Sequence, residues 1–448
     1  MTVCSNQLTF DFYQDKDLTA DFKGGQISSD TGLLAVRELE KKLGWLTDAT
    51  SVLSDPRDAQ KTRHDILTLL RQRVFGLVGG YEDCNDHDRL RGDPVLKLTC
   101  DRSPAGRDVA SQPTLSRFEN GVAPREVVRL GRLLTEHFVG LYRNDPPEQI
   151  VLDIDPTDDP CHGHQQLSLF NGFYEQRMYL PLLVFERQTG MLLGARLRAG
   201  DVHPARRAIQ MLGPMVETLR EAFPQAPIIL RADAGFSVPR LYDWCEEKNL
   251  RYLIAIASHP VFKRHTDPDV QWMRRRYERA GEARRHYSSY WHRAGSWPHK
   301  RRVTYKVKVG PDGTQRRFIV TNMKGHPVHL HRLYEDRGTC ETFIDGFKNA
   351  LRADRLSCHR FTTNAFRLLM FAFGYNLLKV LGSHLADTVL AGASLETIRT
   401  RLLKVGARVR ETVRRVWVHI AGGFPYREAL ATVMRRIRAM PNAPPAAA

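Results

Sequence analysis

The sequence predicts an α/β protein built around one mixed β-sheet, with a helical region ahead of the sheet. Between residues 149 and 258, short apolar runs rich in β-formers alternate with helical stretches in the order β-β-β-α-β-α-β. Before residue 149, the apolar spacing and the capping residues are typical of helices. A sheet of consecutive strands joined by helices is the simplest architecture that satisfies both observations.

The chain carries many more basic than acidic side chains. Its 448 residues include 67 Lys and Arg against 50 Asp and Glu, a formal net charge of +17 at pH 7. This charge favours a polyanionic partner, most simply nucleic acid, over a solvated basic surface. We find no stretch of transmembrane length and no signal peptide, and seven scattered cysteines without a CxxC pair are typical of reduced thiols. We therefore expect a cytoplasmic protein that does not associate with a membrane.

The helical region has four clear segments. Helices are predicted near residues 28–42, 63–78, 112–119 and 125–142. A short capped helix between longer ones is compatible with a helix-turn-helix DNA reader, and equally with a plain helical bundle. At the other end of the chain, residues 441–448 consist mostly of Pro and Ala and are predicted to be disordered.

Two aspartates stand where predicted strands end. Asp155 closes one β-rich run and Asp233 follows another. Open α/β sheets place their ligand sites beyond the carboxyl ends of the strands, so both carboxylates are candidates for one site. Asp153 lies on the same face two residues earlier, and we prefer Asp155 because it is nearer the end of the strand and lies in Asp155-Pro156-Thr157. Asp158 and Asp159 are interpreted as turn formers.

A predicted helix at residues 334–350 supplies a third carboxylate. Positions i, i+3, i+7 and i+14 fall on one helical stripe, and they carry Tyr334, Arg337, Glu341 and Lys348. Such a stripe either faces solvent or lines a site. The apolar face beside it indicates that the helix docks on the sheet, which favours the site. Three carboxylates suffice to hold two Mg²⁺ ions, one activating an attacking oxygen and the other stabilising the leaving oxygen of a phosphodiester.

Residues 259–330 interrupt the α/β alternation. They combine arginine-rich stretches and aromatic side chains with two predicted strands and a hairpin turn, so a β-rich insertion is expected. Aromatic rings there would stack on bases or, equally, form the core of a small β-subdomain. Trp291 and Trp297 are the two candidates for stacking.

The spacing Tyr334-x2-Arg337-x3-Glu341-x6-Lys348 resembles the Y-R-E-K signature of a branch of bacterial insertion-sequence DDE transposases. The segments LDIDPTDDPCHGHQQ and RADAGF, at residues 152–166 and 231–236, resemble the first two catalytic blocks of one family in that branch, the transposase DDE domain group 1. The resemblance runs from about residue 150 to residue 381.

This resemblance implies an RNase H-like catalytic domain with a β-rich insertion between the second Asp and the Glu. It implies that two Mg²⁺ ions, with Mn²⁺ as a substitute, are bound by Asp155, Asp233 and Glu341. It further implies phosphate contacts at the transposon end from Tyr334, Arg337 and Lys348, and an insertion aromatic, Trp291 or Trp297, that stacks on a flipped base.

We therefore expect a bacterial, nucleoid-associated cut-and-paste transposase. It would bind terminal inverted repeats in double-stranded DNA, hydrolyse the phosphodiester at each end and join the 3′-hydroxyl to target DNA, as a homodimer that bridges two ends. The alternatives are an RNase H-like nuclease without strand transfer and a DNA-binding regulator with an inactive catalytic fold. The predicted segments are a helical DNA-binding region at 1–148, a catalytic domain at 149–258 and 331–390, the β-rich insertion at 259–330, and a helical, basic C-terminal region at 391–448.

Overall fold

The structure, a computed structural model, describes residues 7–13 and 15–442 of the chain. From residue 443 onward, the predicted disordered tail lies outside this range. The chain divides into two compact units. The first comprises Met1–Gly121, Ala350–Arg352 and Phe373–Ala448, and the second comprises Val122–Asn349 and Ala353–Ala372.

The described strands and helices are numbered in chain order. The strands are β1 (Gln7–Phe10), β2 (Leu18–Asp21), β3 (Ile27–Ser28), β4 (Ile150–Pro156), β5 (Asp159–Pro160), β6 (Leu169–Asn171), β7 (Gln176–Tyr179), β8 (Leu182–Glu186), β9 (Leu192–Arg196), β10 (Ile228–Ala232), β11 (Arg251–Ile256), β12 (Arg284–His292), β13 (Arg301–Gly310), β14 (Gly313–Thr321), β15 (Ala407–Glu411) and β16 (Val416–Ile420). The α-helices are α1 (Leu33–Leu43), α2 (Trp45–Val52), α3 (Ile66–Val78), α4 (His87–Leu90), α5 (Pro94–Thr99), α6 (Gln112–Gly121), α7 (Pro124–Tyr142), α8 (Ala208–Ala222), α9 (Pro239–Glu247), α10 (Pro260–Ala280), α11 (Pro327–Glu335), α12 (Gly338–Asp345), α13 (Phe361–Ser383), α14 (Leu395–Ile398) and α15 (Arg427–Ala439).

The second unit is built on an eight-stranded sheet in the order β12-β13-β14-β11-β10-β4-β8-β9. Strands β4, β10 and β11 are parallel, and every other neighbouring pair is antiparallel. The predicted α/β class, the mixed sheet and the β-β-β-α-β-α-β order are therefore confirmed. A small sheet in the order β5-β7-β6, which was not predicted, is inserted between β4 and β8. Helix α7 contacts β9 in this unit, although the sequence analysis grouped it with the N-terminal helices.

The insertion after β11 differs from the β-rich segment that was predicted. It opens with α10, a helix of 21 residues that has His259 as its N-cap, Pro260 in its first turn and Gly281, with φ 68°, as its C-cap. Strands β12 to β14 then extend the main sheet, with β14 pairing antiparallel with β11. The helix was not predicted because its sequence is rich in arginine and contains Pro268; its helical signal is limited to the spacing of the buried residues Phe262, Thr266 and Val270.

The predicted helix at 334–350 is broken into three pieces. Helix α11 ends at Glu335, α12 starts at Gly338, and Gly346–Ala350 forms a π-helical turn. Glycine is costly inside a helix, and both new pieces start at a glycine, which accounts for where the breaks fall. Tyr334 therefore lies on α11, Arg337 in the break before α12, and Lys348 in the π-helical turn, and the single stripe that was predicted does not form.

In the first unit, the predicted helices at 28–42, 63–78 and 112–119 are confirmed as α1, α3 and α6. Helix α3 begins at Asp65, whose side chain accepts a hydrogen bond from the Thr68 amide at 2.7 Å. Its Arg73 is buried in an ion pair with Glu119 on α6, with Nε 2.6 Å from Oε1. This arginine holds two helices together and has no face left for DNA.

The C-terminal region was predicted to be helical, and here the prediction was wrong in part. Strands β15 and β16 form an antiparallel hairpin, and β15 also pairs with β3 to give a three-stranded sheet. The β-branched and aromatic residues of β15 and β16, and the alternating burial along the first half of β15, explain the strand conformation.

Helix α13 is the most apolar helix of the chain. By length and composition it passes as a candidate membrane span, with a mean hydropathy of 1.3 over its most apolar window, which the sequence analysis did not expect. However, 89% of that window is buried inside the protein, as in a core helix.

Candidate active site

Strands β4 and β10 bring Asp155 and Asp233 to the same edge of the sheet. The parallel register pairs Ile154 with Ala232, and the next residue of each segment is an aspartate, Asp155 on β4 and Asp233 directly after β10. Asp233 accepts a hydrogen bond from the Gly235 amide at 2.9 Å, which holds the turn after β10. Burial raises the pKa of Asp155 to about 7; the Arg337 guanidinium opposes this rise, and the charge of Asp233 adds to it. The site therefore concentrates negative charge that a cation would stabilise.

Asp153 has different surroundings. Its carboxylate is buried and receives two hydrogen bonds from Arg231, from Nε at 2.7 Å and from Nη2 at 2.6 Å. Arg231 also donates to the carbonyl of Leu333, which ties the centre of the sheet to α11. With its oxygens engaged in this way, Asp153 is a structural residue, and Asp155 is the strand-end acid that remains near the surface.

Arg337 neutralises part of the charge of Asp155. Its Nη2 lies 2.7 Å from Oδ2 of Asp155, and both side chains are largely buried. Nε of Arg337 is buried without a hydrogen-bond partner. Because Arg337 immediately precedes α12, this ion pair also anchors the start of that helix over the end of β4.

Tyr334 lies near the charges of Asp155, Asp233 and Arg337. Its ring packs in a cluster with Leu253, Ile319 and Leu330. Burial raises the pKa of Tyr334; nearby Arg337 and Arg317 oppose the rise, and Asp233 and Asp155 add to it. Tyr334 therefore lies within electrostatic range of both acids, and its ring belongs to the core.

Lys348 is held by the segment that follows β4. Its Nζ lies 2.9 Å from Oδ1 of Asp158 and 3.0 Å from the Asp158 carbonyl oxygen. Asp158, which lies in the short connection between β4 and β5, is therefore an ion-pair partner of Lys348. The interpretation of Asp159 as a turn former was wrong: it lies in a strand, both carboxylate oxygens are buried without a hydrogen-bond partner, and burial together with the charge of Asp354 raises its pKa.

Glu341 is not brought into contact with the two aspartates. It is exposed on α12, one turn after Arg337. Across residues 7–13 and 15–442, no three His, Cys, Asp or Glu side chains are gathered closely enough to hold a metal ion. The hard carboxylate oxygens of Asp155 and Asp233 fit a divalent cation such as Mg²⁺, whereas Glu341 does not complete the set in this conformation.

The two candidate tryptophans of the insertion have opposite surroundings. Trp297 is only 4% exposed; its ring centroid lies 5.7 Å from that of Tyr242, and Arg301 stacks over the ring at 5.5 Å. A ring enclosed in this way has no face for a base, so Trp297 is a core residue. Trp291 on β12 is 68% exposed and keeps an open face.

An aromatic pair beside the acids was missed by the sequence analysis. Tyr174 and Phe173 lie at the tip between β6 and β7, with ring centroids 5.0 Å apart, and Phe173 is 86% exposed. Burial raises the pKa of Tyr174, and the charges of Asp158, Asp155 and Asp233 add to the rise, so Tyr174 lies within electrostatic range of these acids. The sequence signal was the Asn171-Gly172 pair, which marks the end of a strand and the start of a turn.

Comparison with known proteins identifies the family. The family model described as transposase DDE domain group 1 matches residues 10–442. Among solved structures, the cryo-EM structure of the piggyBac transposase synaptic complex with hairpin DNA is 13% identical with a TM-score of 0.41, covering 94% of this chain and 83% of that chain, which is too distant to support a functional conclusion. No curated protein matches the chain. Because the family model spans nearly the whole chain, the protein belongs to the transposase DDE domain group 1 family and is a DDE transposase.

Proposed function

We propose that the protein cuts the ends of a DNA element and joins the freed 3′-hydroxyls to target DNA, by cut-and-paste transposition. The observation that carries the proposal is the alignment of Asp155 and Asp233 at the carboxyl edge of β4 and β10. Paired strand-end carboxylates of this kind suit metal-assisted phosphoryl transfer. A cytoplasmic, nucleoid-associated location and bacterial origin are part of this proposal.

Asp155 and Asp233 would hold the metal ions, with Glu341 of α12 as the third ligand. Mg²⁺, or Mn²⁺ in its place, would activate the attacking oxygen and stabilise the leaving one. The chain's own residues prepare the site: Asp233 keeps its turn rigid through the Gly235 amide, and Arg337 compensates the charge of Asp155.

The cationic side chains beside the acids suit a phosphodiester substrate. Arg337 and Lys348 carry permanent positive charge at the edge of the acidic pair, and Tyr334 adds a hydroxyl donor. We propose that these three side chains contact phosphates at the end of the element. Trp291 is the proposed stacking residue, because its ring is open and that of Trp297 is not.

The finer parts of the proposal concern the assembly. Residues 1–148 would contribute DNA contacts, and two copies of the chain would bridge two ends of double-stranded DNA. The net charge of +17 supports the DNA partner. The dimer follows from the need to process both ends of one element together.

The substitution Asp233→Asn tests the site. It preserves the shape of the side chain but weakens metal binding, so strand cleavage should be lost while DNA binding persists. Cleavage is measured on duplexes that carry the DNA flanking the protein's own gene, with Mg²⁺ or Mn²⁺. The control is Asp312→Asn, which makes the same change in an exposed hairpin turn. Cleavage by Asp233→Asn at the wild-type rate would falsify the site.

Strand transfer separates the proposal from its rivals. With pre-cleaved ends, the wild-type protein should join a 3′-hydroxyl to target DNA. Cleavage without joined product would indicate a nuclease. Binding without any nicking, in either metal, would indicate a DNA-binding regulator with an inactive site.

A further inference from the structure

Strands β15 and β16 form a two-stranded ribbon with one open face. The antiparallel register places Arg408 opposite His419 and Arg410 opposite Trp417. All four side chains are exposed, and directly paired residues share a face of the sheet. We call these four residues the ribbon face.

The ribbon face carries uncompensated positive charge. Arg408 and Arg410 lie on it, Arg414 and Arg415 lie in the turn beyond it, and none of the four has an ion pair in the described part of the chain. The hairpin's acidic residue, Glu411, points to the opposite face, where it accepts hydrogen bonds from the Ser103 hydroxyl at 2.6 Å and the Ala105 amide at 3.1 Å. Any partner that satisfies these arginines must therefore supply negative charge from outside.

The backbone under this face is fixed. The outer edge of β15 pairs with β3, and the Val409 amide donates to the Gln26 carbonyl at 2.8 Å. Val409 is buried on the reverse face. The turn is closed by the Thr412 amide, which donates to the Arg415 carbonyl at 2.8 Å. The arginines are thus presented by a rigid element, which lowers the entropic cost of binding.

Aromatic rings lie among the arginines. Trp417 is 48% exposed, its ring is nearly parallel to that of His419 with centroids 5.9 Å apart, and the Arg415 guanidinium lies 6.0 Å from the Trp417 ring centroid. An indole left open to water beside unpaired guanidinium groups is typical of an interface with an anionic partner that also has flat or apolar surface.

We propose that the ribbon face binds duplex DNA, with the ribbon in the major groove and the arginines of the ribbon and its turn on the flanking phosphates. Strand β3 pairs only with Ala407 and Arg408, so the end of the hairpin that carries Arg410, Trp417 and the turn is two-stranded. Two strands roughly 4.8 Å apart fit within a groove roughly 12 Å wide. The proposal rests on DNA as the partner in the proposed function, but it assigns binding to a surface in the first unit, whereas the carboxylates lie in the second. Whether the ribbon face binds DNA does not depend on which residues catalyse cleavage.

The salt dependence of binding tests this assignment. Affinity of the full chain for a labelled duplex of arbitrary sequence is measured by fluorescence anisotropy in EDTA over a range of salt concentrations. Each lost phosphate contact should reduce the slope of log affinity against log salt by about 0.9. The double variant Arg410→Gln/Arg414→Gln should therefore lower the slope by about 1.8. Trp417→Ala should weaken binding with little change in slope.

The matched control is Arg435→Gln/Arg438→Gln, which removes the same charge from exposed positions of α15 in the same unit. It should leave the slope unchanged. Dimethyl sulfate footprinting, which reports guanine N7 in the major groove, should show protection by wild type that the ribbon variant loses. Circular dichroism melting checks that both double variants are folded.

Two outcomes would overturn the inference. Equal slopes for the two double variants would mean that the ribbon charges act only through net charge. Unchanged DNA binding by the ribbon variant, together with lost binding to vesicles of anionic phospholipid, would assign the surface to a membrane. Neither outcome bears on the Asp233→Asn test, which measures cleavage.

Discussion

Two aspartates two residues apart on β4 have opposite electrostatic roles. Asp153 forms a buried, two-point ion pair with Arg231, and Asp155 faces the site edge with Arg337 and Asp233 as its neighbours. The first pair holds the sheet together. The second arrangement leaves a carboxylate that is costly to keep ionised, which is the state that a metal ion would stabilise.

The substitution Asp153→Asn should therefore destabilise the fold. It leaves the Arg231 guanidinium buried without its counter-ion, at a cost of roughly 3–5 kcal/mol in the free energy of unfolding. Urea unfolding measures this cost, and Asp155→Asn is the matched control on the same strand. If the two variants lose equal stability, Asp153 has no special structural role.

Asp155→Asn should instead change how stability depends on pH. The pKa of Asp155 is about 7 in the folded protein, above its ordinary value of 3.8, so the protonated carboxyl stabilises the fold below pH 3.8 and this contribution is lost as the pH rises through 7. An Asn cannot ionise. In EDTA, wild type should therefore lose stability between pH 5 and pH 8, and the variant should not. The free energy of unfolding of the variant minus that of wild type should rise over this range, and a constant difference would contradict the raised pKa.

At the scale of elements, the sequence predicted strands better than the region around the third carboxylate. The apolar runs that became β4, β8, β9, β10 and β11 are buried by the sheet itself, so local composition was sufficient. The break before α12 depends on Gly338 and on the Arg337–Asp155 ion pair, and the latter joins residues distant in sequence. The helical spacing of residues 334–350 contains no sign of this break, so one continuous helix was predicted.

The difference between local sequence signals and contacts distant in sequence also explains which site residues were predicted. Asp155 and Asp233 follow from strand ends, which local sequence marks. The burial of Trp297 against Tyr242 and of Asp159 next to Asp354 depends on tertiary packing, which leaves no local signal. Tyr174 did have a local signal in its hairpin turn, and its proximity to the acids becomes evident only once β5, β6 and β7 are seen as one sheet.

At the scale of the whole molecule, the ribbon face and the acidic site differ in whether their cationic side chains have acidic partners. The ribbon face in the first unit gathers arginines that lack acidic partners, whereas the site in the second unit places cations directly against carboxylates. DNA phosphates would bind both sets. At the ribbon face, the phosphates would bind guanidinium groups that have no acidic partner. At the acidic site, a phosphate must compete with Asp155 for Arg337.

That competition predicts coupling between DNA and metal. A phosphate that draws Arg337 away would free the carboxylate of Asp155 for a metal ion, so DNA should tighten Mn²⁺ binding, and by linkage Mn²⁺ should tighten DNA binding by the same factor. We expect a factor of about five or more, the lower end of typical couplings. Electron paramagnetic resonance of free Mn²⁺, with and without a non-cleavable duplex, measures it.

The variant Arg337→Gln isolates the cause of this coupling. Without the guanidinium on Asp155, Mn²⁺ should bind more tightly in the absence of DNA, and adding DNA should then improve metal binding less than it does in wild type. Arg317→Gln is the control, because Arg317 lies near Tyr334 but makes its ion pair with Glu335. Coupling of wild-type size in Arg337→Gln would show that DNA acts on the metal site by a route other than this ion pair.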